Sequence, residues 1–339
     1  MAGMYEKDQV LKVADVGDSI FVAESDKTPV SRLLKRGKRP EQMTVSWPVE
    51  KYPTRGFKGT PDGTDKSSFS KVTRDPLSVY AQWLLSPGWM VSKLANLTNA
   101  HGVGRNERAH QAAKDALLLA RMCEQLLLSN QDCQIEAEPS QPYETRGILQ
   151  WLSPTEQATL PVPEKYRPSA ACVFSDALDA FLPSSMEAML EAAANEKKAP
   201  VDLTGFTGIK LKSRMSTWAQ RDTTVTATNQ NLASFTLNAS EKKLINVVDF
   251  FEFDAGNVKT IPSWYLATDP ETGETTDYTT RSGAFIDLSM WELRFLQAPQ
   301  SYVESPKSGG PRGYHDMVLA LAGLNPLGQC MVLSNKDDT

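Results

Sequence analysis

From Met43 to Trp83 the chain reads as one long hairpin that cannot stabilise itself, which limits what the remainder can be. Met43-Thr44-Val45-Ser46-Trp47-Pro48-Val49-Glu50 alternates apolar and polar residues as a strand does, and Pro48 restricts that strand to an edge or an irregular position. A second strand-like run extends from Phe69 to Trp83. Between them Pro53, Gly56, Gly59, Pro61 and Gly63 are interspersed with Lys and Arg, the composition of a turn-rich tip. Two strands alone are marginal in water, so such a ribbon must lie on its own body or on a neighbouring molecule. Assembly is the first implication.

Charge points the same way. The net charge is -5, yet Thr28 to Arg74 holds 11 Lys or Arg against 4 Asp or Glu, leaving +7 there and -12 elsewhere. A basic extension and an acidic body attract one another between identical copies, although basic residues also keep an exposed loop soluble. The chain of 339 residues exceeds what one core usually organises, so two compact units with extended excursions are expected. Apolar residues at 40% and charged residues at 23% place it among folding chains and away from disordered ones.

Along the chain, Met1 to Arg39 reads as a poorly packed arm with one helical turn at Thr28 to Leu34, Pro29 near its start and Gly37 as its end. Arg105 to Leu128 is the clearest helix, roughly 36 Å long at about 1.5 Å per residue. Its expected inner stripe is Ala109, Ala112, Ala113, Ala116, Ala120, Cys123 and Leu127, opposed by Arg108, Gln111, Lys114, Arg121 and Gln125, with Asn106 as cap and Glu107 in the first turn. Helices are expected near Ser169 to Phe181 and from Ser184 to Lys198 after Pro183. Strands then dominate: Lys243 to Phe253 and Asn257 to Pro262 around the turn Asp254-Ala255-Gly256-Asn257, then Ala284 to Phe295, Tyr314 to Ala322 and, past Asn325-Pro326-Leu327-Gly328, Gln329 to Leu333.

Chemistry is sparse. Gly102-Val103-Gly104-Arg105-Asn106-Glu107 only imitates a dinucleotide fingerprint, since Glu107 stands at the third glycine and no clean buried strand precedes it. His101, His110 and His315 lie in no metal or triad spacing, and His315 and Asp316 are expected to face opposite sides of a strand. Asp269, Glu271, Glu274 and Asp277 lack the ligand order of a calcium loop, and Asp249, Glu252 and Asp254 split between strand faces. Cys123, Cys133, Cys172 and Cys330 are scattered, as reduced thiols are. Trp47, Trp83, Trp89, Trp151, Trp218, Trp264 and Trp291 are singletons, expected as core or interface anchors rather than a base-stacking platform. No catalytic, cofactor or metal residue is assigned. No apolar run reaches membrane-spanning length, the start lacks a signal peptide, and synthesis in the cytosol is expected.

The order of arm, basic hairpin, long helix, mixed middle and strand-rich return resembles the major capsid proteins of tailed bacteriophages, an α+β architecture known as the Hong Kong phage or Johnson fold. Within that group it is similar to a branch of phage capsid proteins otherwise uncharacterised. The resemblance is carried by Thr28-Pro29-Val30-Ser31-Arg32-Leu33-Leu34-Lys35-Arg36-Gly37-Lys38 running into Val45-Ser46-Trp47-Pro48-Val49-Glu50, by the helix through Lys114 to Leu128, by Thr145-Arg146-Gly147-Ile148-Leu149-Gln150-Trp151-Leu152, and by Phe251-Glu252-Phe253-Asp254-Ala255-Gly256-Asn257-Val258-Lys259-Thr260-Ile261-Pro262. Ala199 to Thr228 departs from the pattern.

The resemblance implies an N-terminal arm (1–40), an extended loop or E-loop (41–81) lying across a neighbouring subunit, a peripheral P-domain (82–151) with a spine helix, an axial A-domain (152–277) near the capsomer centres, and return strands of the peripheral domain (278–339). It further implies a non-enzymatic subunit without cofactors, forming hexamers and pentamers of an icosahedral head around double-stranded DNA. Scaffolding, portal and decoration proteins are possible partners, DNA contact is non-specific, and no membrane is involved. The protein would be made in the host cytoplasm and end in the virion. Arg55, Lys58, Lys66 and Lys71 are the expected intersubunit contacts. An encapsulin-like nanocompartment shell is the nearest alternative. A ligand-binding protein or hydrolase built on the strands near Trp264 and Trp291 is a further one, and a nucleic-acid-binding protein resting on the basic stretch is the third.

Overall fold

The computed structural model describes residues 28–52, 56–66, 69, 73–97, 107–138, 141–218, 236–238, 243–245, 248–266, 280–306 and 310–334. Two units are distinguished: a smaller one from Leu85–Ala120 and Gln300–Asp316, and a larger one from Thr28–Leu84, Arg121–Pro299 and the segment after Met317.

The larger unit begins with α1 (Pro29–Leu33), whose first residue has its φ preset by the proline ring. The chain then pairs through β1 (Lys35–Arg36) and enters the hairpin of β2 (Thr44–Val49) and β3 (Asp75–Tyr80). Val45 opposes Val79 and Trp47 opposes Leu77, and all four are buried, so the alternation read from the sequence is the alternation of the strand. Pro48 faces Pro76, a step at which neither residue has an N–H to donate; a two-stranded ribbon tolerates this because every strand in it is an edge. The second run breaks at Ala81 into β4 (Gln82–Leu85), so the expected strand from Phe69 to Trp83 is two shorter ones.

In the smaller unit β5 (Trp89–Met90) precedes the short helix α2 (Lys93–Leu97) and the first half of α3 (Glu107–Leu127). The expected inner stripe of α3 is corrected: Ala109, Ala113 and Ala116 are exposed, while Asp115, Leu119, Cys123, Glu124, Leu126 and Leu127 are buried. Cys123 and Leu127 are buried as the periodicity predicts, but in the first half of the helix Asp115 and Leu119 take the inner positions expected for the alanines. Asn106 and the Gly102 to Glu107 stretch up to Asn106 lie outside the described residues, as does the acidic cluster from Asp269 to Asp277.

Beyond α4 (Ile148–Trp151), Ser169 to Phe181 forms no α-helix. Two 3-10 turns, Ala170–Cys172 and Leu178–Ala180, flank β6 (Val173–Phe174). The apolar spacing there serves a sheet edge and two tight turns. The helix after Pro183 is α5 (Pro183–Lys197), burying Met186, Met189, Leu190 and Ala193 at helical spacing.

Ala199 to Thr228, which matched no pattern, supplies β7 (Val201–Thr207) and α6 (Ile209–Thr217). β7 is a central strand. With β8 (Thr236–Asn238) and β9 (Lys243–Ile245) forming a separate ribbon, the principal sheet of the larger unit runs β10-β11-β7-β12-β15-β6, where β10 is Phe250–Phe253, β11 Gly256–Pro262, β12 Gly283–Ile286 and β15 Cys330–Val332. β11 runs parallel to β7 and β12 antiparallel to it, and β12 puts Phe285 over Gly205, where a Cβ would collide with the ring. The boundary expected at 277 therefore passes through one sheet, since β12 and β15 come from the return segment. The core beneath it gathers Phe181, Met186, Leu190, Leu203, Leu211, Met215 and Phe285.

Ala284 to Phe295 is likewise split, by a 3-10 turn at Leu288–Met290, into β12 and the longer β13 (Trp291–Glu304). In the larger unit β13 lies between β1 and β14 (Arg312–Gly323), with β4 on the far side; in the smaller, β5 pairs with the first residues of β14. Lys197, in the last turn of α5, reaches Asp287 at 2.7 Å, beside the turn before β13. Burial works against the Asp287 carboxylate, but Lys197 and Ser289 outweigh it and hold the carboxyl below its usual range. A carboxylate depressed in the fold stabilises it above the unfolded value, about 4, and that contribution disappears as pH falls through the folded value. We expect Asp287→Asn to cost about 1 kcal/mol at pH 7 and nearly nothing at pH 2, read from urea melts at both.

Candidate assembly surface

The hairpin is fastened at its base and bare beyond it. Trp47 packs on Trp151 with ring centroids 5.8 Å apart, donates its indole N–H toward the Leu324 carbonyl at 3.4 Å, and carries the Arg294 guanidinium 5.5 Å from its ring centre. Tyr166 places its hydroxyl 3.0 Å from both the Val49 carbonyl and an Asp75 carboxylate oxygen, and Lys165 pairs with the same carboxylate. Those hydrogen bonds from Lys165 and Tyr166 hold the Asp75 carboxyl below its ordinary range. Arg74 closes the base on Glu50 at 3.2 Å.

Distal to this clamp Tyr52 and Phe69 are 93% and 82% exposed and Phe57 is fully exposed, and every described residue from Gly56 to Lys66 is exposed. Three large aromatic rings in water on one ribbon are the expensive feature of this surface. Of the four expected contact residues, Lys58 and Lys66 stand exposed on this stretch, and Lys66 lies 5.2 Å from the Phe69 ring centre. Arg55 and Lys71 lie outside the described residues.

Residues 28–39, expected to be a loose arm, are docked instead. Val30 and Leu34 are buried, and the Val30 and Ser31 amides donate to the two carboxylate oxygens of Glu124 at 2.7 and 2.8 Å. Thr28 makes no side-chain cap, so the first turn of α1 is capped from a distant helix. Burial pushes the Glu124 carboxyl up, against the pull of those amides. β1 then runs parallel to β13, Arg36 covers Phe295, Lys35 approaches Glu292 at 3.5 Å, and Arg39 donates to the Leu296 carbonyl at 2.9 Å. Part of the basic segment is thus neutralised within its own chain.

A second anchor is Arg146, wholly buried. It donates to Asp132 at 2.8 Å and to the carbonyls of Thr159 and Leu160 at 2.7 and 3.1 Å, and covers the Trp151 ring at 4.7 Å. Next to it Gly147 passes so close to Ser129 that a Cβ would run into the Ser129 carbonyl oxygen. Both residues lie in the Thr145 to Leu152 segment that carries the resemblance, but their roles are not visible in the sequence, because none of Arg146's partners is recognisable by spacing.

The smaller unit holds a constellation that only looks catalytic. Asp115 Oδ2 accepts from Ser86 Oγ at 2.5 Å and lies 2.8 Å from His315 Nδ1, while Gly88 donates to its other oxygen at 3.0 Å. The carboxylate is the hub, so the imidazole does not stand between it and the hydroxyl as a general base must. Ser86 Oγ is further used by the His315 amide at 2.8 Å. His315, which stood in no recognisable spacing, is therefore a structural partner of Asp115. In the same unit an open groove lined by Trp89, Met90, Tyr302, Arg312 and Tyr314 carries stacked Tyr302 and Tyr314, 5.2 Å apart, and the Arg312 to Glu304 pair at 2.6 Å.

Among the described residues no group of His, Cys, Asp or Glu is arranged to hold a metal, and no helix is long and apolar enough to cross a membrane. Trp47, Trp89, Trp151 and Trp291 are buried, Trp83 and Trp264 are exposed. Trp291 gives its indole N–H to Gln329 at 2.7 Å and is closed to a soluble ligand.

The model of the family described as "SU10 major capsid protein" matches residues 3–325. No curated protein matches the chain in sequence. Among solved structures it is similar to the capsid of the cyanophage P-SCSP1u, with a TM-score of 0.62 at 12% identity over 99% of this chain and 96% of that one. A chain of Mycobacterium phage Ogopogo gives 0.61 at 14% identity over 98% and 100%. The capsid of a native GTA particle gives 0.58 at 10% identity over 97% and 96%. The shared fold is the Hong Kong phage fold, α+β, as the resemblance implied.

Proposed function

Because the chain belongs to the SU10 major capsid protein family, and is the major capsid protein of a tailed phage, we propose how its parts divide the work of building a shell. Residues 41–81 are the extended loop, clamped at their base and laid across a neighbouring subunit beyond it. Residues 1–40 are the arm. Residues 152–277, completed by β12 and β15, form the axial domain of hexamers and pentamers, and 82–151 with the remaining return strands form the periphery. The protein is made in the host cytoplasm, encloses double-stranded DNA with contacts that do not depend on sequence, meets scaffolding, portal and decoration proteins, and has no catalytic role.

One observation carries this reading: Tyr52, Phe57 and Phe69 project into water beyond a base held by Trp47, Tyr166 and Asp75. The chain spends contacts on the base of the ribbon to aim a distal part that stays exposed, which is what an interface awaiting a second copy requires. Arg55, Lys58, Lys66 and Lys71 add the basic side of that contact. A rim charge acts mainly on encounter rate, whereas a buried aromatic anchor acts on the lifetime of the complex.

The test is assembly followed by light scattering and negative-stain electron microscopy. Exchanging Tyr52, Phe57 and Phe69 for serine is expected to leave the circular dichroism and melting of the subunit unchanged and to abolish closed shells. Changing the four basic residues to glutamine is expected to slow assembly about tenfold at low salt and little at high salt. Shells forming at the normal rate from both variants would remove the hairpin from the interface.

A further inference from the structure

We infer that Cys172 and Cys330 are a built oxidation site, two thiols placed to become one disulfide when a small peroxide reaches the core of the larger unit. The placement comes from the sheet. β6 and β15 run parallel with Val173 opposite Met331 and Phe174 opposite Val332, so one step earlier Cys172 stands opposite Cys330. Both residues are buried at 0% and 1% exposure. Cys330 Sγ lies 3.4 Å from the Met189 carbonyl and Cys172 Sγ lies 3.7 Å from Ser169 Oγ. Cys172 ends a 3-10 turn and is not itself part of the ladder, so closing the pair moves a turn and leaves the sheet bonds intact.

The thiols are also unequal. The neighbouring Cys330 thiol draws the Cys172 thiol below its ordinary value, while Cys172 and burial together push Cys330 above its own. Burial pushes Cys123 up to about 12 and Cys133 up to about 11, so these two stay protonated and serve as internal controls.

The chemistry balances with hydrogen peroxide as oxidant. The Cys172 thiolate attacks one peroxide oxygen, the O–O bond breaks, and the departing hydroxide takes up a proton as water, leaving Cys172 as a sulfenic acid. The Cys330 sulfur then attacks the Cys172 sulfur, its proton leaves with the hydroxyl as a second water, and the S–S bond forms; two thiols are oxidised and one peroxide is reduced. Peroxide is small enough to enter during local opening, as a bulky disulfide reagent is not. The bond would tie the last strand of the sheet to β6 and close a loop containing α5, α6 and all strands between, and it suits a particle that leaves a reducing cytosol.

The experiment treats the full-length chain, free and as shells, with hydrogen peroxide, quenches it, denatures it with an alkylating reagent present, and maps the peptides. Expected are two alkylated cysteines instead of four, one linked peptide pair joining Cys172 to Cys330, a melting temperature raised by about 5 °C, and reversal by dithiothreitol. In the Cys330→Ser chain, dimedone should trap a sulfenic acid at Cys172. Four alkylated cysteines after treatment, a linkage through Cys123 or Cys133, or a sulfinic acid at Cys172 in the unaltered chain would each overturn the assignment, and none of these readings depends on the variant folding.

Discussion

Replacing Arg146 by methionine is expected to destabilise the isolated chain by about 3–5 kcal/mol, the largest single-residue effect in the larger unit. Methionine fills much of the volume, so the loss is one of partners rather than of packing. The Leu160 carbonyl loses its donor, the Thr159 carbonyl keeps only the Cys133 thiol at 3.2 Å, Asp132 keeps only the Cys133 amide at 2.8 Å, and Trp151 loses the cation over its ring. Leu160 is held at a φ of 46°, a left-handed conformation that a leucine adopts only under constraint, and Arg146 is part of that constraint. Lysine should recover less than half, because an ammonium reaches Asp132 but cannot fork to two carbonyls as well. Urea denaturation of the unassembled subunit measures this; a loss below about 1 kcal/mol for methionine would mean the loop at 159–160 is held by other contacts.

Replacing Glu124 by alanine is expected to release the arm locally, at about 3 kcal/mol, without unfolding the body. Two amides, Val30 and Ser31, would be left at a helix start with no side-chain cap of their own. That free energy corresponds to roughly a hundredfold increase in the open fraction, visible as faster amide exchange at those residues and faster tryptic cleavage at Arg32, Lys35 and Arg36. Glutamine keeps one acceptor but turns an amide N–H toward the other donor, so its cost should be about half. Unchanged exchange at Val30 in the alanine variant would mean β1 alone holds the arm against β13.

These effects centre on the side chains that sequence reading left unexplained. The hairpin strands, the helix after Pro183 and the turn at Asp254 to Asn257 were legible because their signals are local: alternation, a proline at a first turn, a glycine where the chain reverses. The face of α3 was legible only at Cys123 and Leu127. Its alanines recur at helical spacing, yet Asp115 and Glu124 point inward because an imidazole, a hydroxyl and backbone amides far along the chain satisfy them. Ala199 to Thr228 matched nothing, although it supplies the strand between β11 and β12. The expected helix at Ser169 to Phe181 gave way to turns around a two-residue strand for a related reason: pairing with β15 outweighs local preference.

By itself the sequence determined that this chain carries a basic ribbon unable to bury itself, a long helix and a strand-rich return, and hence that it must assemble. Only the tertiary structure decided which charges are spent inside. Lys35, Arg36 and Arg39 stay exposed but are engaged by residues of β13, Arg146 is sealed in the core, and Lys58 and Lys66 are exposed on the hairpin. The reason is physical. Periodicity and turn chemistry are short-range properties that a linear text records, while a buried charge is tolerated only where distant groups converge to desolvate and satisfy it together.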